Sequence, residues 1–184
     1  MNLFDANNRF NLANSITFAN VACGVLAMYF VTQKQFFLAI ILAWIAGALD
    51  IADGKVARKY NLSTEFGIQL DSFADFLSFV IMPAFLLFYS IDFDSNYTKL
   101  IVGLVFIYYI ISGLRRLVEF NLKVEAGSVE KYFTGVPTPL GAILLWVIYL
   151  LSHSFGLITS PWIIAILVAI IAYLLNSNVK IPHP

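Results

Sequence analysis

Four aspartates recur at short, regular intervals between two apolar stretches of the chain. They lie in LDIADGKVARKYNLSTEFGIQLDSFADF, residues 49–76, and are Asp50, Asp53, Asp71 and Asp75. Spacings of three and four residues place each pair on one face of a helix, so two neighbouring helices would gather all four carboxylates. Carboxylates in a partly desolvated place need cations to neutralise them, and hard divalent ions prefer oxygen ligands. The pattern therefore predicts a site for Mg²⁺ or Mn²⁺, with two ions. A lone aspartate is more often a helix cap or a solvated charge, but four at helical spacing favour metal binding.

The residues between the aspartates favour a phosphate ligand. Gly54 and Ala57 leave the helix face beyond the second aspartate bare enough for a ligand to approach the backbone. Arg58 offers a permanently charged fork that suits phosphate oxygens. Gly67 clears similar room on the second helix, although each glycine alone would also fit close helix packing in a membrane. Together with divalent ions, these residues predict a pyrophosphate-type substrate.

Composition predicts the setting of these helices. Of 184 residues, 60% are hydrophobic and 12% charged, with 17 Phe and a mean hydropathy of +0.84, as expected for an integral membrane protein. The net charge of zero gives no indication of a nucleic-acid partner. The single cysteine, Cys23, excludes an internal disulfide. The N-terminus has no basic region leading into a short apolar core, so we expect no signal peptide.

The apolar segments predict an all-α fold of six transmembrane helices in a single domain, residues 1–184. A bilayer core of about 30 Å takes about 20 helical residues. The predicted spans are 15–32, 36–56, 68–89, 97–119, 136–153 and 160–177. Pro161 begins the sixth, where its missing N–H costs least. Residues 2–12 mix Leu and Phe with polar residues, which predicts a short interfacial helix before the first span.

Basic residues predict the orientation, because cytoplasmic loops collect Lys and Arg. Two basic residues, Lys34 and Lys99, fall on one side of the six spans. The other side receives Arg9, Lys55, Arg58, Lys59, Arg115, Arg116, Lys123, Lys131 and Lys180. This bias places both termini and the aspartates on the cytoplasmic face of the cell membrane.

The first span carries a polar stripe towards that same face. Asn14, Thr17 and Asn20 recur every three residues, so they share one side of a helix. Helix capping by Asn14 or Ser15 is the alternative explanation for the start of the stripe. Capping does not explain Asn20.

The aspartate segment resembles the signature of the CDP-alcohol phosphotransferases. The pattern Asp50-x-x-Asp53-Gly54-x-x-Ala57-Arg58, eight residues, Gly67-x-x-x-Asp71-x-x-x-Asp75 has every position of that signature. The resemblance implies a metal-dependent exchange in which an alcohol attacks the β-phosphorus of a CDP-linked group and CMP leaves. It also implies a homodimer, with which the small residues Gly103 and Gly113 of the fourth span are compatible. The roles that it implies are metal ligation by Asp50, Asp53 and Asp71, proton abstraction beside the metals by Asp75, and CDP binding by Gly54, Ala57, Arg58, Gly67, Thr17 and Asn20.

Two later segments, GLRRLVEFN and YFTGVPTPLGA, resemble the membrane-embedded phosphatidylserine synthases of that family. The resemblance implies transfer from CDP-diacylglycerol, or CDP-archaeol, to L-serine. Those synthases often have a basic residue where this chain has Glu119, which shifts the binding of the serine carboxylate to Arg116. Arg115 and Arg116 also fit a topological or headgroup role. The implied serine-binding residues are Arg115, Arg116, Asn121, Gly135 and Pro137.

Three alternatives remain at this point. The acceptor alcohol could be glycerol 3-phosphate or an inositol phosphate instead of serine. Intramembrane carboxylates also mark ion pathways, so the chain could be a divalent-cation transporter; the clustering of the acids at one surface argues against that. The third alternative is a non-catalytic membrane scaffold.

Overall fold

The computed structural model of the chain describes residues 3–125, 132–177 and 180–182. Helices are present at all six predicted positions. Four are long and apolar enough to cross a membrane: Leu12–Thr32, Phe36–Lys59, Glu65–Ser90 and Asn96–Leu122. The helices at the fifth and sixth positions, Thr138–Ser154 and Pro161–Leu175, are apolar but shorter. By length and composition, the chain is an integral membrane protein with four candidate spans. Lys131, which contributed to the predicted orientation, lies outside the described residues.

The chain divides into two compact units, Met1–Ser78 and Phe79–Pro184, here called unit 1 and unit 2. Unit 1 contains helices α1 (Leu12–Thr32), α2 (Phe36–Lys59) and α3 (Glu65–Asp75). Helix α1 packs against both of the others. The contact is close because small residues line it: Ala27, Ala39 and Ala46 are fully buried. A Cβ on Gly24 of α1 would lie 3.0 Å from Cδ2 of Leu77.

Residues 3–10 form turns, so the predicted N-terminal interfacial helix is wrong. The Oδ1 atom of Asp5 accepts a hydrogen bond from the backbone N–H of Asn7 at 3.0 Å. Asn8 Oδ1 accepts in the same way from the N–H of Phe10, also at 3.0 Å. Short polar side chains that bond to the backbone two residues on stabilise turns in competition with a helix. The prediction of an amphipathic helix relied on the hydrophobic residues of this segment and did not take these side-chain hydrogen bonds into account.

Asn11 is the residue that caps α1. Its Oδ1 accepts from the backbone N–H of Asn14 at 2.9 Å, so neither Asn14 nor Ser15 is the cap. The same side chain is completely buried, and its Nδ2 donates to the carbonyl of Leu62 at 3.4 Å. The start of α1 is thereby tied to the loop between α2 and α3.

Unit 2 is built around the long helix α5 (Asn96–Glu125), against which a shorter helix, α7 (Pro161–Leu175), packs. A π-helical segment, Phe76–Ile81, follows α3 and includes the boundary between the units. In the described part of unit 2 the α-helices are α4 (Met82–Ser90), α5 (Asn96–Glu125), α6 (Thr138–Tyr149) and α7 (Pro161–Leu175). Another π-helical segment, Leu150–Ser154, extends α6. Helix α5 packs along α7, and α4 packs against α5 and α6.

A short pair of strands departs from the predicted all-α fold. Strand β1 (Tyr132–Thr134) pairs antiparallel with β2 (Lys180–Pro182). Next to this pair, the backbone N–H of Val136 donates to the carbonyl of Leu174 at 3.1 Å. The chain that leads into α6 is therefore bonded to the chain that leaves α7, a long-range contact that no local sequence pattern indicated.

The two glycines that were compatible with a dimer interface pack inside unit 2. A Cβ on Gly113 would lie 2.5 Å from Cγ1 of Val80, and one on Gly103 would lie 3.7 Å from Cε2 of Phe88. Their small size permits close packing of the helices of this unit, so it gives no support to dimerisation.

Candidate active site

Three carboxylates of unit 1 converge at one point. Asp50 and Asp53 lie one turn apart on α2, and Asp71 lies on α3. One oxygen of each lies within 4.8 Å of the others. Asp53 is buried, with 3% of its surface exposed, whereas Asp71 is exposed. The cluster is thus anchored on its α2 side and open on its α3 side.

Asp75 completes the group of four. It lies one turn beyond Asp71 on α3, and its side chain is hydrogen-bonded to that of Asp50. The structure therefore brings together the four aspartates whose spacing predicted a common site. No lysine or arginine of the described residues forms an ion pair with any of them.

The polar stripe of α1 contacts this cluster. Thr17 Oγ1 donates to Oδ2 of Asp53 at 2.6 Å, and Asn20 Nδ2 donates to Oδ1 of Asp50 at 3.3 Å. The Oδ1 atom of Asn20 in turn accepts from Oγ of Ser78 at 2.7 Å. Thr17, Asn20 and Ser78 are all buried. Two of the aspartates are therefore held in fixed orientations by α1.

Asn14, the first residue of the stripe, lies against α3. Its Nδ2 donates to the carbonyl of Arg9 at 3.0 Å. A Cβ on Gly67 would lie 2.9 Å from Asn14 Oδ1, so a larger residue would require the Asn14 side chain to shift. Gly67 therefore permits the close approach of α3 to α1.

A cavity of about 200 Å³ adjoins the aspartates. Two aspartates of the cluster, Asp53 and Asp71, line the cavity, and so does Thr17, which bonds to Asp53. The Arg58 guanidinium lies over Gly54, with Nη1 3.6 Å from the position that a Cβ on Gly54 would take. Asn20 is not among the residues that line the cavity. The other lining residues are Ala13, Asn14, Gly54, Ala57, Arg58, Leu62, Ser63, Thr64, Gly67 and Ile68.

The donor set fits a hard divalent cation. It consists of carboxylate oxygens, the ligands that Mg²⁺ and Mn²⁺ prefer. The carboxylates of Asp50 and Asp53 are oriented by hydrogen bonds from neighbouring residues, as ligands of metal sites usually are. Because no basic side chain of the described residues pairs with the cluster, a bound cation would supply the missing positive charge.

The two neighbouring arginines of α5, in unit 2, have different surroundings. Arg115 is exposed, and its Nε lies 2.8 Å from Oε1 of Glu119, one turn along the helix. Arg116 is 5% exposed, and its Nε donates to the carbonyl of Val136 at 3.3 Å. Glu119, at the position where the resembled synthases often have a basic residue, is thus the ion-pair partner of Arg115.

The turn before α6 holds Gly135 and Pro137, two of the residues predicted to bind serine. A third, Asn121, lies on α5. Gly135 has a φ of +88°, and a Cβ there would lie 2.7 Å from the carbonyl oxygen of Leu175. Both observations require glycine at this position. Pro137 is the residue immediately before α6. Asn121 is half-buried.

Comparison with known proteins decides the family. The CDP-alcohol phosphatidyltransferase family model matches residues 10–176, which include both the cluster and the turn before α6. The chain belongs to this family. The resemblance that the aspartate signature indicated is therefore confirmed.

Three relatives of this CDP-alcohol phosphatidyltransferase family member carry the name CDP-diacylglycerol–serine O-phosphatidyltransferase. The relative from Bacillus subtilis (strain 168) is 32% identical over 169 residues, 91% of this chain and 88% of the relative. The relative from Methanocaldococcus jannaschii is 33% identical over 180 residues, 98% of this chain and 78% of the relative. One from Helicobacter pylori (strain ATCC 700392 / 26695) is 25% identical, covering 92% of this chain and 71% of the relative.

Sequence reasoning missed Ser78, which contacts the stripe at Asn20. Ser78 lies in the π-helical segment and bonds to Asn20, which bonds to Asp50. Its signal was present, because Ser78 follows Asp71 and Asp75 at helical spacing. A serine is so common in membrane helices that this spacing alone did not single it out.

We predict that Thr17→Val weakens metal binding. Valine keeps the shape of threonine but removes the 2.6 Å hydrogen bond to Asp53, and loss of a residue that orients a metal ligand typically costs about 10- to 100-fold in affinity. The measurement is titration of the purified protein with Mn²⁺, followed by electron paramagnetic resonance. Thr32→Val is the matched control, since Thr32 lies at the other end of α1 and bonds locally to Tyr29. Equal Mn²⁺ affinities of Thr17→Val and wild type would contradict the prediction.

Proposed function

We propose that this chain is a CDP-diacylglycerol–serine O-phosphatidyltransferase. It transfers the phosphatidyl group of CDP-diacylglycerol to the hydroxyl of L-serine and releases CMP. The observation that carries the proposal is the cluster of four aspartates beside a cavity that contains Arg58. Family membership supports the reaction type, and the shared name of the relatives supports serine as the acceptor.

In this proposal, the aspartates hold the metal. Asp50, Asp53 and Asp71 are the ligands, with Asp75 at the edge of the set, and the cations are two Mg²⁺ or Mn²⁺ ions. When bound, such ions would offset the negative charge of the diphosphate and of the departing CMP. Thr17 and Asn20 keep the α2 carboxylates oriented towards the ions.

The cavity holds the CDP half of the lipid donor. Gly54, Ala57 and Gly67 leave space for the diphosphate next to the backbone, and the Arg58 guanidinium binds phosphate oxygens. Thr17 contributes to the same wall. Asn20 was predicted to contact the CDP group. Because it bonds to Asp50 and does not line the cavity, we propose instead that it orients a metal ligand.

Asp75 is the general base. The serine hydroxyl gives its proton to the Asp75 carboxylate as its oxygen forms a bond to the β-phosphorus, because a neutral hydroxyl is a poor nucleophile. The bond between the β-phosphorus and the bridging oxygen breaks, and CMP leaves with that oxygen. Asp75 is suited to this task because its carboxyl group adjoins the ligand Asp50.

Arg116 binds the serine carboxylate. It is buried, and its Nε is fixed by the Val136 carbonyl, which leaves the two terminal nitrogens for a bidentate pair with a carboxylate. Gly135 and Pro137 shape the turn that presents that carbonyl, and Asn121 adds a polar group on the same helix. The exposed ion pair of Arg115 with Glu119 makes Arg115 the weaker candidate.

We further propose six membrane spans, with both termini and the aspartates on the cytoplasmic side of the cell membrane; the homodimer that the family resemblance implies stays a prediction. The bias of Lys and Arg to one side of the spans supports the orientation. The two shorter helices are apolar overall, and flanking residues that reach the interface let short helices span.

The test of the function is CMP release by the purified protein in mixed micelles. CDP-diacylglycerol and CDP-archaeol serve as donors, and L-serine, glycerol 3-phosphate and inositol phosphate as acceptors, each with Mg²⁺, Mn²⁺ or chelator. We expect metal-dependent CMP release with serine, together with formation of phosphatidylserine. Release with glycerol 3-phosphate but not with serine would overturn the acceptor. If no acceptor supports release, the enzymatic proposal is wrong, and Mn²⁺ uptake into proteoliposomes would then favour a transporter.

A further inference from the structure

Asn176, the residue directly after α7, has a buried acceptor without a partner. Its Nδ2 donates to the backbone carbonyl of Ser112 on α5 at 3.2 Å. Its Oδ1 is shielded from solvent and has no hydrogen-bond partner among the described residues. Buried polar atoms nearly always have a partner, so this oxygen has room in its hydrogen bonding for a donor from a water molecule or a ligand. The hydrogen bond to Ser112 fixes the amide plane and therefore the direction of Oδ1.

This amide lies beside Arg116. In an α-helix the carbonyl of Ser112 also accepts the backbone N–H of the residue four positions on, which is Arg116. Asn176 therefore shares an acceptor with the backbone of Arg116. Ser112 and Arg116 are 3% and 5% exposed and face the same side of α5.

The backbone of Val136 links the side chain of Arg116 to the end of α7. Val136 accepts from Arg116 Nε at 3.3 Å through its carbonyl, and its own N–H donates to Leu174, two residues before Asn176. Gly135 permits this contact, since a Cβ there would lie 2.7 Å from the carbonyl oxygen of Leu175 and 2.9 Å from that of Ser177. Val136 therefore bonds both to the Arg116 guanidinium and to the last turn of α7, and the Asn176 amide bonds to α5 one turn before Arg116.

We infer that Asn176 binds the ammonium group of the acceptor amino acid while Arg116 binds its carboxylate. The inference rests on the proposed function, because it assumes that the acceptor is serine. An ammonium group has three donors and no acceptor, so it requires an oxygen such as Oδ1. A neutral amide suits the position better than a carboxylate, since an aspartate here would compete with the substrate for Arg116.

The first experiment uses the wild-type protein and two analogues that each lack one group of serine. 3-Hydroxypropionate lacks the ammonium group, and ethanolamine lacks the carboxylate. Both keep the primary hydroxyl. We expect kcat/KM for serine to exceed that for either analogue by about 10- to 100-fold, the range for loss of a hydrogen bond to a charged group. Equal values for serine and 3-hydroxypropionate would overturn the inference.

The second experiment uses Asn176→Ala. We expect KM for serine to rise about 10- to 100-fold, while KM for CDP-diacylglycerol stays unchanged. The preference for serine over 3-hydroxypropionate should fall to within a few fold, a change in ratio that a merely structural defect would not produce. The preference for serine over ethanolamine should persist because Arg116 is intact.

Ser177→Ala is the matched control. Ser177 is the next residue along, its Oγ bonds locally to the carbonyl of Leu174, and its variant should retain the wild-type preferences. If Asn176→Ala does not fold, Asn176→Leu keeps the branched shape without the amide and carries the same expectation. An unchanged ratio of serine to 3-hydroxypropionate in a folded variant overturns the role of Asn176. Absence of serine-dependent CMP release from the wild type would instead overturn the proposed function, so the two failures are distinguishable.

Discussion

Replacing Asp53 with asparagine is expected to lower serine-dependent CMP release by about a thousandfold or more. Asp53 is the most deeply buried member of the cluster, and its carboxylate accepts the 2.6 Å hydrogen bond from Thr17. The substitution removes one negative charge from the ligand set at nearly constant shape. The charge stabilisation that a bound metal supplies to phosphoryl transfer amounts to several kcal/mol, and about 4 kcal/mol corresponds to roughly a thousandfold in rate.

The measurement is initial CMP release across a range of Mn²⁺ concentrations. Asp94→Asn is the matched control, because Asp94 is exposed between α4 and α5 and far from the cluster in sequence. The control should match the wild type. If Asp53→Asn regains full activity at high Mn²⁺, Asp53 contributes to metal affinity and not to the rate of the metal-bound enzyme. Full activity at every Mn²⁺ concentration would contradict its role as a ligand.

Asp75→Asn is expected to separate catalysis from metal binding. Removing a positioned general base costs typically 10²- to 10⁴-fold in rate, so CMP release should fall by about that factor. The asparagine amide can still bond to Asp50, which preserves the local geometry. Mn²⁺ titration followed by electron paramagnetic resonance should therefore show an affinity within a few fold of the wild type.

The result also discriminates between classes of protein. A transporter or a scaffold has no proton to remove, so Asp75→Asn would leave its function intact or alter transport alone. Retention of more than half of the wild-type CMP release would show that Asp75 is not the base. Loss of Mn²⁺ binding together with CMP release would instead place Asp75 among the essential ligands.

Much of the site could be predicted because it depends on local periodicity. The spacing of Asp50 with Asp53 and of Asp71 with Asp75 determines which helix face each pair occupies. Hydropathy located the helices that carry them, since apolar length is set by the bilayer. The polar stripe of α1 could also be predicted from periodicity, because polar side chains that recur every three residues are unusual in an apolar span.

The features that could not be predicted depend on contacts between distant residues or on competition between local structures. The pairing of β1 with β2 and the contact of Asn11 with Leu62 join residues that are far apart in the sequence, so no local pattern indicates them. The N-terminal turns arise because Asp5 and Asn8 bond to nearby backbone groups, a preference that hydropathy does not register. Likewise, the sequence favoured Arg116 over Arg115 for the serine carboxylate but could not show that Arg115 is exposed and ion-paired whereas Arg116 is buried.

The division of the chain into two units has an evolutionary consequence. Every residue proposed to hold the metal and the CDP group lies within Met1–Ser78, whereas the residues proposed to recognise serine lie within Phe79–Pro184. On the proposed assignment, substitutions in the second half would alter the choice of alcohol without changing the carboxylates of the first half. Such an arrangement lets duplicated genes diverge towards new headgroups while they inherit an intact reaction centre, one route by which a membrane could diversify its lipids.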